Sequence, residues 1–196
     1  SIAFLQNGAW TKRLQPGWAA HNGIIASKLA EKKFTGPSEI LEGKYGFLSS
    51  VSANPKFKLV TNNLGQSFEI VKVSIKNHAC CRYNQSAIDA IIGIVSGNDL
   101  QPRDIEKVNI QLVGTAIPLV AEPKNTKYYP KNIVDAQFSI PFGAAVAILR
   151  RRAFIDEYQM DLVSSLEVRN LMQKVTCQHN PDLDKDYPKI WPAIVS

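Results

Sequence analysis

At 196 residues the chain is long enough for one sizeable domain whose core needs no disulfide or metal cross-link. Its 45% apolar and 20% charged residues are typical of a globular protein and argue against intrinsic disorder. The net charge of +6 would suit nucleic acid, acidic lipid or small anions. However, the densest basic cluster, residues 150–152, follows an apolar helical stretch, where cations complement the helix dipole. We therefore predict no nucleic-acid partner.

The three cysteines, Cys80, Cys81 and Cys177, make a poor disulfide framework because two are adjacent and their number is odd. There is no C-x-x-C pair, no histidine at metal-ligand spacing and no glycine-rich phosphate loop, so neither a metal nor another cofactor is predicted. The longest strongly apolar stretch, residues 143–149, is too short to span a bilayer, and no signal peptide is recognised. We expect a cytoplasmic protein without a membrane partner.

Apolar periodicity predicts strands separated by helices, with a helical segment at the N-terminal end, and hence an α+β fold. Pro141 is expected to kink or divide a long helical stretch. In chain order we predict a helix over 17–33, a short helix over 38–41, an irregular stretch over 43–65, a strand over 68–75, a helix over 86–95, a strand over 105–113, an extended loop over 116–131, helical structure over 133–151, a helix over 166–174, a strand over 175–178, a turn-rich link over 180–188 and the start of a strand over 191–195.

Four ordered stretches of the chain resemble signature sequences of the MmgE/PrpD family, which includes 2-methylcitrate dehydratase, cis-aconitate decarboxylase and iminodisuccinate epimerase. Together the stretches extend along nearly the whole chain, so their order is more specific than any one of them. They are residues 11–23 (TKRLQPGWAAHNG) with 34–37 and 40–43, residues 80–83 with 87–90, residues 136–141, and residues 168–182.

The resemblance implies a large all-helical domain, a smaller α+β lid domain with a mixed sheet and packed helices, and an active site between them. Residues 1–34 would be the end of the helical domain and residues 35–196 the lid, incomplete at its C-terminus. We accordingly expect an incomplete piece of a longer enzyme that is inactive when isolated. The expected parent is a cofactor-independent lyase or isomerase, similar to 2-methylcitrate dehydratase, that acts on a small polycarboxylate and forms a homo-oligomer.

The reactions of this family build negative charge beside a carboxylate, so their sites need a placed base and neutralising cations. Lys12 and Arg13 precede the turn at residues 15–17, and by resemblance Lys12 matches a substrate-site lysine. We predict a catalytic role for Lys12 and substrate binding for Arg13. From the spacing alone, a solvated basic pair explains both residues equally well.

His21 lies within the matched motif and on one helical face with Trp18 and Ile25, so it is either a proton-transfer residue or an interior histidine. We predict it as catalytic. Arg82 and Tyr83 follow a predicted strand, and we expect them to bind a substrate carboxylate. Gln15 and Gln85 stand where many relatives have histidine, so both positions have lost an ionisable group.

Two other functions remain open from the sequence. The chain could keep the lid fold without catalysis and bind an anionic metabolite or a partner subunit. Nucleic-acid binding rests on the basic composition alone. Turnover of a polycarboxylate distinguishes the enzyme from the first alternative, and salt-sensitive binding to DNA or RNA would indicate the second.

Overall fold

The computed structural model describes residues 8–196, so the part of the predicted helical remnant before Gly8 lies outside the described residues. The chain divides into two compact units. One, here the N-terminal unit, is Arg13–Ile75; the other, here the C-terminal unit, comprises residues 8–12 and Lys76–Ser196. The predicted division after residue 34 stays a prediction.

All but the first two residues of helix α1 (Thr11–Glu31) lie in the N-terminal unit, and the helix confirms the predicted first helix but begins six residues earlier. Pro16 lies in its second turn. Apolar side chains along α1 are more than two-fifths exposed, among them Trp18, Ile25 and Leu29. Two short helices follow, α2 (Phe47–Val51) and α3 (Lys58–Thr61). They lie in the stretch predicted to be irregular, and the helix predicted over 38–41 is a series of turns instead.

The strand predicted over residues 68–75 is wrong. A 3-10 helix, Glu69–Lys72, occupies its centre, and Val71, Val73 and Ile75 are well exposed. β-Branched residues favour strands chiefly where a neighbouring strand and a core are available to pack against. Within the N-terminal unit this segment has neither a neighbouring strand nor a core to pack against, so the alternating pattern alone did not produce a strand.

The C-terminal unit contains a three-stranded mixed sheet in the order β2-β1-β3. Strand β1 (Val108–Leu112) pairs in parallel with β2 (Val175–His179), with Val108 opposite Val175, and antiparallel with β3 (Ala193–Val195). The alternating residues Val108, Ile110 and Leu112 are buried, as the period of a strand with one covered face requires. The three strands predicted here are confirmed, although β1 is shorter than expected.

Helices cover the inner face of the sheet and confirm the α+β class. Helix α4 (Gln85–Gly97) packs against α7 (Ile140–Arg150), which also contacts α9 (Leu166–Gln173). Every residue of α7 from Ile140 to Ile148 is buried, so α7 is the centre of the core. Three short helices complete the unit: α5 (Lys124–Lys127), α6 (Ile133–Gln137) and α8 (Met160–Ser164).

The boundary between α6 and α7 follows from local chemistry. The Ser139 hydroxyl accepts a hydrogen bond from the Phe142 N–H at 3.1 Å, which caps the start of α7, and Pro141 lies in its first turn. The predicted division at Pro141 is therefore confirmed. The loop predicted over 116–131 is partly wrong, because it contains α5 and a π-helical turn, Ile117–Ala121.

The basic cluster at the end of α7 is engaged by carboxylates. Arg151 ends the helix in the left-handed conformation and contacts Asp99 at 2.6 Å, while Arg152 contacts Asp156 at 3.0 Å. Two of the three arginines of the cluster are therefore paired with carboxylates within the C-terminal unit. None of the helices in residues 8–196 is long and apolar enough to cross a membrane.

Candidate functional site

The loop formed by residues 78–81, here the 78–81 loop, is held on three sides by hydrogen bonds. The Cys81 N–H donates to the Gln137 carbonyl at 2.8 Å, and the Gln137 side chain donates to the Ala79 carbonyl at 2.9 Å. The Ala79 N–H donates to the Ala153 carbonyl at 3.2 Å. The backbone of the matched Cys80-Cys81 motif is thereby fixed relative to α6 and to the end of α7.

Gln85 provides the third attachment. Its side-chain oxygen accepts from the His78 N–H at 3.0 Å, and its amide nitrogen lies 3.1 Å from the His78 carbonyl and 3.3 Å from the Cys81 carbonyl. Gln85 is thus a buried structural partner of the loop. The sequence analysis did not predict this structural role of Gln85.

Residues 8–12 approach the same loop from the other side. Gly8 has φ +63°, and a Cβ there would clash with the side chains of Asp135 and Asn132, so only glycine fits. Ala9 and Cys81 both pack against the small cluster of Val134 and Phe138. These contacts place the Lys12 ammonium 4.7 Å from the centre of the Phe138 ring, a cation–π contact.

Two further lysines lie near the loop. Lys76 donates from Nζ to the Cys80 carbonyl at 3.3 Å. Lys127, the last residue of α5, is buried with 4% of its surface exposed. Its backbone carbonyl accepts a hydrogen bond of 2.5 Å from the buried Ser139 hydroxyl, which fixes the end of α5 to the start of α7.

The charges of Lys12, Lys76 and Lys127 all act on the Cys81 thiol, and we call these three residues the lysine cluster. Burial raises the pKa of Cys81 despite these cations, so at neutral pH the thiol is uncharged. Burial also lowers the pKa of Lys127, with the Asp135 carboxylate opposing the shift. The positive charges of the lysine cluster therefore act on an uncharged thiol, and this favours binding of an anion from outside the chain.

Arg82 and Tyr83 directly follow the loop and belong to an aromatic cluster with Tyr187 and Trp191. The Arg82 guanidinium lies 5.5 Å from the Trp191 ring centre, and the Tyr83 hydroxyl lies 3.0 Å from that of Tyr187. Tyr83 also donates to the Thr115 hydroxyl at 3.3 Å. Burial raises the pKa of Tyr83, which keeps its hydroxyl protonated as a hydrogen-bond donor.

The structure thus places Lys12, Arg82 and Tyr83 in the C-terminal unit and leaves Arg13 and His21 in the N-terminal unit. His21 is exposed on α1, with its ring stacked on Trp18 at 5.4 Å. Arg13 is exposed in the first turn of the same helix. The catalytic role predicted for His21 and the substrate contact predicted for Arg13 stay predictions.

Reasoning from the sequence missed Lys76 and Lys127. A cation four residues before the matched cysteine pair was a usable signal for Lys76, because loop residues beside a motif often share its site. For Lys127 no local signal exists. The sequence Lys124-Asn125-Thr126-Lys127 is typical of a solvated polar turn, and Lys127 is buried because α5 packs against α6, α7 and the π-helical turn.

Comparisons with known proteins agree with the resemblance. The MmgE/PrpD C-terminal domain matches residues 78–196, and the MmgE/PrpD N-terminal domain matches residues 1–60. Cis-aconitate decarboxylase of Aspergillus terreus is 24% identical over 92% of this chain, and cis-aconitate decarboxylase-like protein oryM of Aspergillus oryzae is 23% identical over 89%. The chain spans 39% and 38% of the lengths of these relatives. Since the C-terminal domain match covers more than half of the sequence, the chain belongs to the MmgE/PrpD family.

Proposed function

We propose that this chain supplies the cationic part of the active site of a cofactor-independent lyase or isomerase that acts on a small polycarboxylate. The observation that carries the proposal is the lysine cluster, in which the charges of three lysines act on one neutral thiol. Cations whose charges act on one point repel one another, and an anion bound at that point relieves the repulsion. A substrate with several carboxylates would provide that anion.

The chemistry of the relatives supports the same substrate class. Two of them are named for cis-aconitate, an unsaturated tricarboxylate. Decarboxylation of such an acid, like dehydration or epimerisation of a related one, places negative charge beside a remaining carboxylate in the transition state. Fixed cations stabilise that charge most effectively where water is partly excluded, and burial raises the pKa of Cys81 and lowers that of Lys127.

Each predicted residue then has a distinct role. Lys12, held beside the Phe138 ring, would transfer a proton or stabilise the developing charge. Arg82 would bind a substrate carboxylate with its planar fork, and Tyr83 would donate a hydrogen bond from its protonated hydroxyl. His21 and Arg13 remain proposed contributors from the N-terminal unit.

A direct test is turnover by the protein expressed from the natural gene, with whatever its gene encodes on either side of these 196 residues. Purified protein is incubated with cis-aconitate, 2-methylcitrate or iminodisuccinate, and products are followed by mass spectrometry. We expect turnover of one of these acids at about 1 per second or faster. Tight binding without turnover would support the non-catalytic alternative, and neither binding nor turnover would contradict the proposal.

A further inference from the structure

Trp191 contacts both of the side chains that are predicted to bind a substrate carboxylate in the C-terminal unit. Its ring centre lies 5.5 Å from the Arg82 guanidinium and 4.6 Å from the centre of the Tyr83 ring. Tyr187 completes the group, with its ring edge-on to Trp191 at 5.2 Å and its hydroxyl 3.0 Å from that of Tyr83. Two parts of the chain that are distant in sequence therefore meet at the predicted binding residues.

The backbone that carries the two C-terminal rings is itself held in place. The Ser86 hydroxyl, in the first turn of α4, donates to the Trp191 carbonyl, and the Trp191 indole N–H donates to the Pro188 carbonyl at 3.1 Å. The Tyr187 N–H donates to the Asp184 carbonyl at 3.3 Å. Because both rings have fixed positions, they restrict the side chains that pack against them.

The Arg82 guanidinium is available to a ligand. Among residues 8–196 no carboxylate lies within ion-pair distance of it, whereas Arg151 and Arg152 are each paired with a carboxylate. Arg82 is half-buried, and an arginine side chain that packs on nothing samples many rotamers. Packing against Trp191 restricts these rotamers and leaves the N–H groups of the fork free for a bidentate carboxylate.

The Tyr83 hydroxyl has one hydrogen and two oxygen neighbours. Since it donates to the Thr115 hydroxyl at 3.3 Å, the hydrogen between the two tyrosine hydroxyls comes from Tyr187. The bond to Thr115 is the longer of the two, and Thr115 is exposed. A carboxylate is a stronger acceptor than a hydroxyl, so it can replace Thr115 while Tyr187 keeps the Tyr83 oxygen in place.

We propose that Trp191 and Tyr187 are positioning residues for substrate binding. Trp191 holds the Arg82 guanidinium ready for a carboxylate. Tyr187 donates to the Tyr83 oxygen and so directs the Tyr83 hydrogen towards an incoming anion. This inference rests on the proposed function, and both residues act through the side chains that they orient.

The Tyr187 role is tested by a double-mutant cycle in the natural gene product. We measure kcat/KM for whichever of cis-aconitate, 2-methylcitrate and iminodisuccinate it turns over. Tyr187→Phe removes one hydroxyl, keeps the ring, and should lower kcat/KM by about 3- to 10-fold. In a Tyr83→Phe background it should change kcat/KM by less than about twofold, because the hydroxyl that it orients is gone.

The matched control for this cycle is Tyr129→Phe. Tyr129 is exposed, and its hydroxyl makes no hydrogen bond within the described part of the chain. Its kcat/KM should therefore stay within about twofold of wild type.

The Trp191 role is tested by comparing two replacements in the same protein. Trp191→Leu removes the aromatic face and should raise KM by about 3- to 10-fold, with kcat changed by less than about twofold. Trp191→Phe keeps a ring against Arg82 and should restore KM to within about threefold of wild type. If Trp191→Leu does not fold, the Tyr187 cycle decides alone, since each of its changes removes a single oxygen.

Three results would overturn the inference and leave the proposed function intact. One is a Tyr187→Phe effect of the same size with and without the Tyr83 hydroxyl. Another is Trp191→Phe being impaired as much as Trp191→Leu. The third is a lower Tm with wild-type kinetics in these variants, which would show a packing role. A natural gene product that turns over none of the three acids would contradict the proposed function, and the inference with it.

Discussion

Replacing Gln85 with alanine should loosen the 78–81 loop and destabilise the chain measurably. The substitution removes the acceptor of the buried His78 N–H, which has no other hydrogen bond among the described residues. The carbonyls of His78 and Cys81 keep partners, since they also accept from the Cys80 and Asn84 N–H groups. The cost is therefore one unsatisfied buried donor, about 1–3 kcal/mol, plus roughly 1 kcal/mol for lost packing.

For a chain of this length, a total of about 2–4 kcal/mol corresponds to a fall in Tm of roughly 5–15 °C. Scanning calorimetry measures it directly. Gln159→Ala is the matched control, because Gln159 is exposed and makes one hydrogen bond to the Ile155 carbonyl, so its Tm should change by no more than about 2 °C. A Gln85→Ala Tm equal to that of the control would refute the structural role assigned to Gln85.

Two other predictions concern the same region. Burial raises the pKa values of Cys80 and Cys177 from 9.0 to about 11, so at pH 8 both thiols should react with a thiol reagent about 100-fold more slowly in the native than in the unfolded chain. Since these folded pKa values are raised, the associated stability is present below pH 9 and is lost as the pH rises towards 11. Gly8→Ala should release residues 8–12 and speed tryptic cleavage after Lys12, because φ +63° and the crowding by Asp135 exclude a side chain.

Each of these two predictions has a result that would contradict it. Native thiols that react as fast as unfolded ones would show that Cys80 and Cys177 are accessible, contrary to their packing. Equal cleavage rates after Lys12 in wild type and Gly8→Ala would show that Gly8 does not hold this segment. Gly17→Ala serves as the control for the second experiment, because a Cβ at that position meets no neighbouring atom.

Much of the C-terminal unit could be predicted from the sequence because its elements carry strong local signals. Ile88, Ile91 and Val95 recur at helical spacing and are buried in α4, and Pro141 marks the start of α7. Strand β1 was predicted from the alternating residues Val108, Ile110 and Leu112, which do face a core. In each case the local pattern and the tertiary environment agree.

The predictions from the sequence fail where tertiary contacts determine the local structure. Val71, Val73 and Ile75 alternate as a strand does, but no strand pairs with them and they form no sheet. Within the site, Lys12 was predicted by resemblance, whereas Lys127 depends on the packing of α5 against α7 and the Ser139 hydrogen bond. Neither the burial of Lys127 nor the effect of its charge on Cys81 follows from the few residues beside it in the sequence.

The central claim is that the lysine cluster serves substrate charge, and kcat/KM of Lys12→Ala in the natural gene product tests it most directly. Lys28→Ala is the control, since Lys28 lies in the last turn of α1 and pairs with Glu31 at the surface at 3.2 Å. We expect Lys12→Ala to lower kcat/KM by about tenfold to a thousandfold, with a Tm within about 2 °C of wild type, and Lys28→Ala to change neither. A wild-type kcat/KM in Lys12→Ala would contradict the assignment of the cluster.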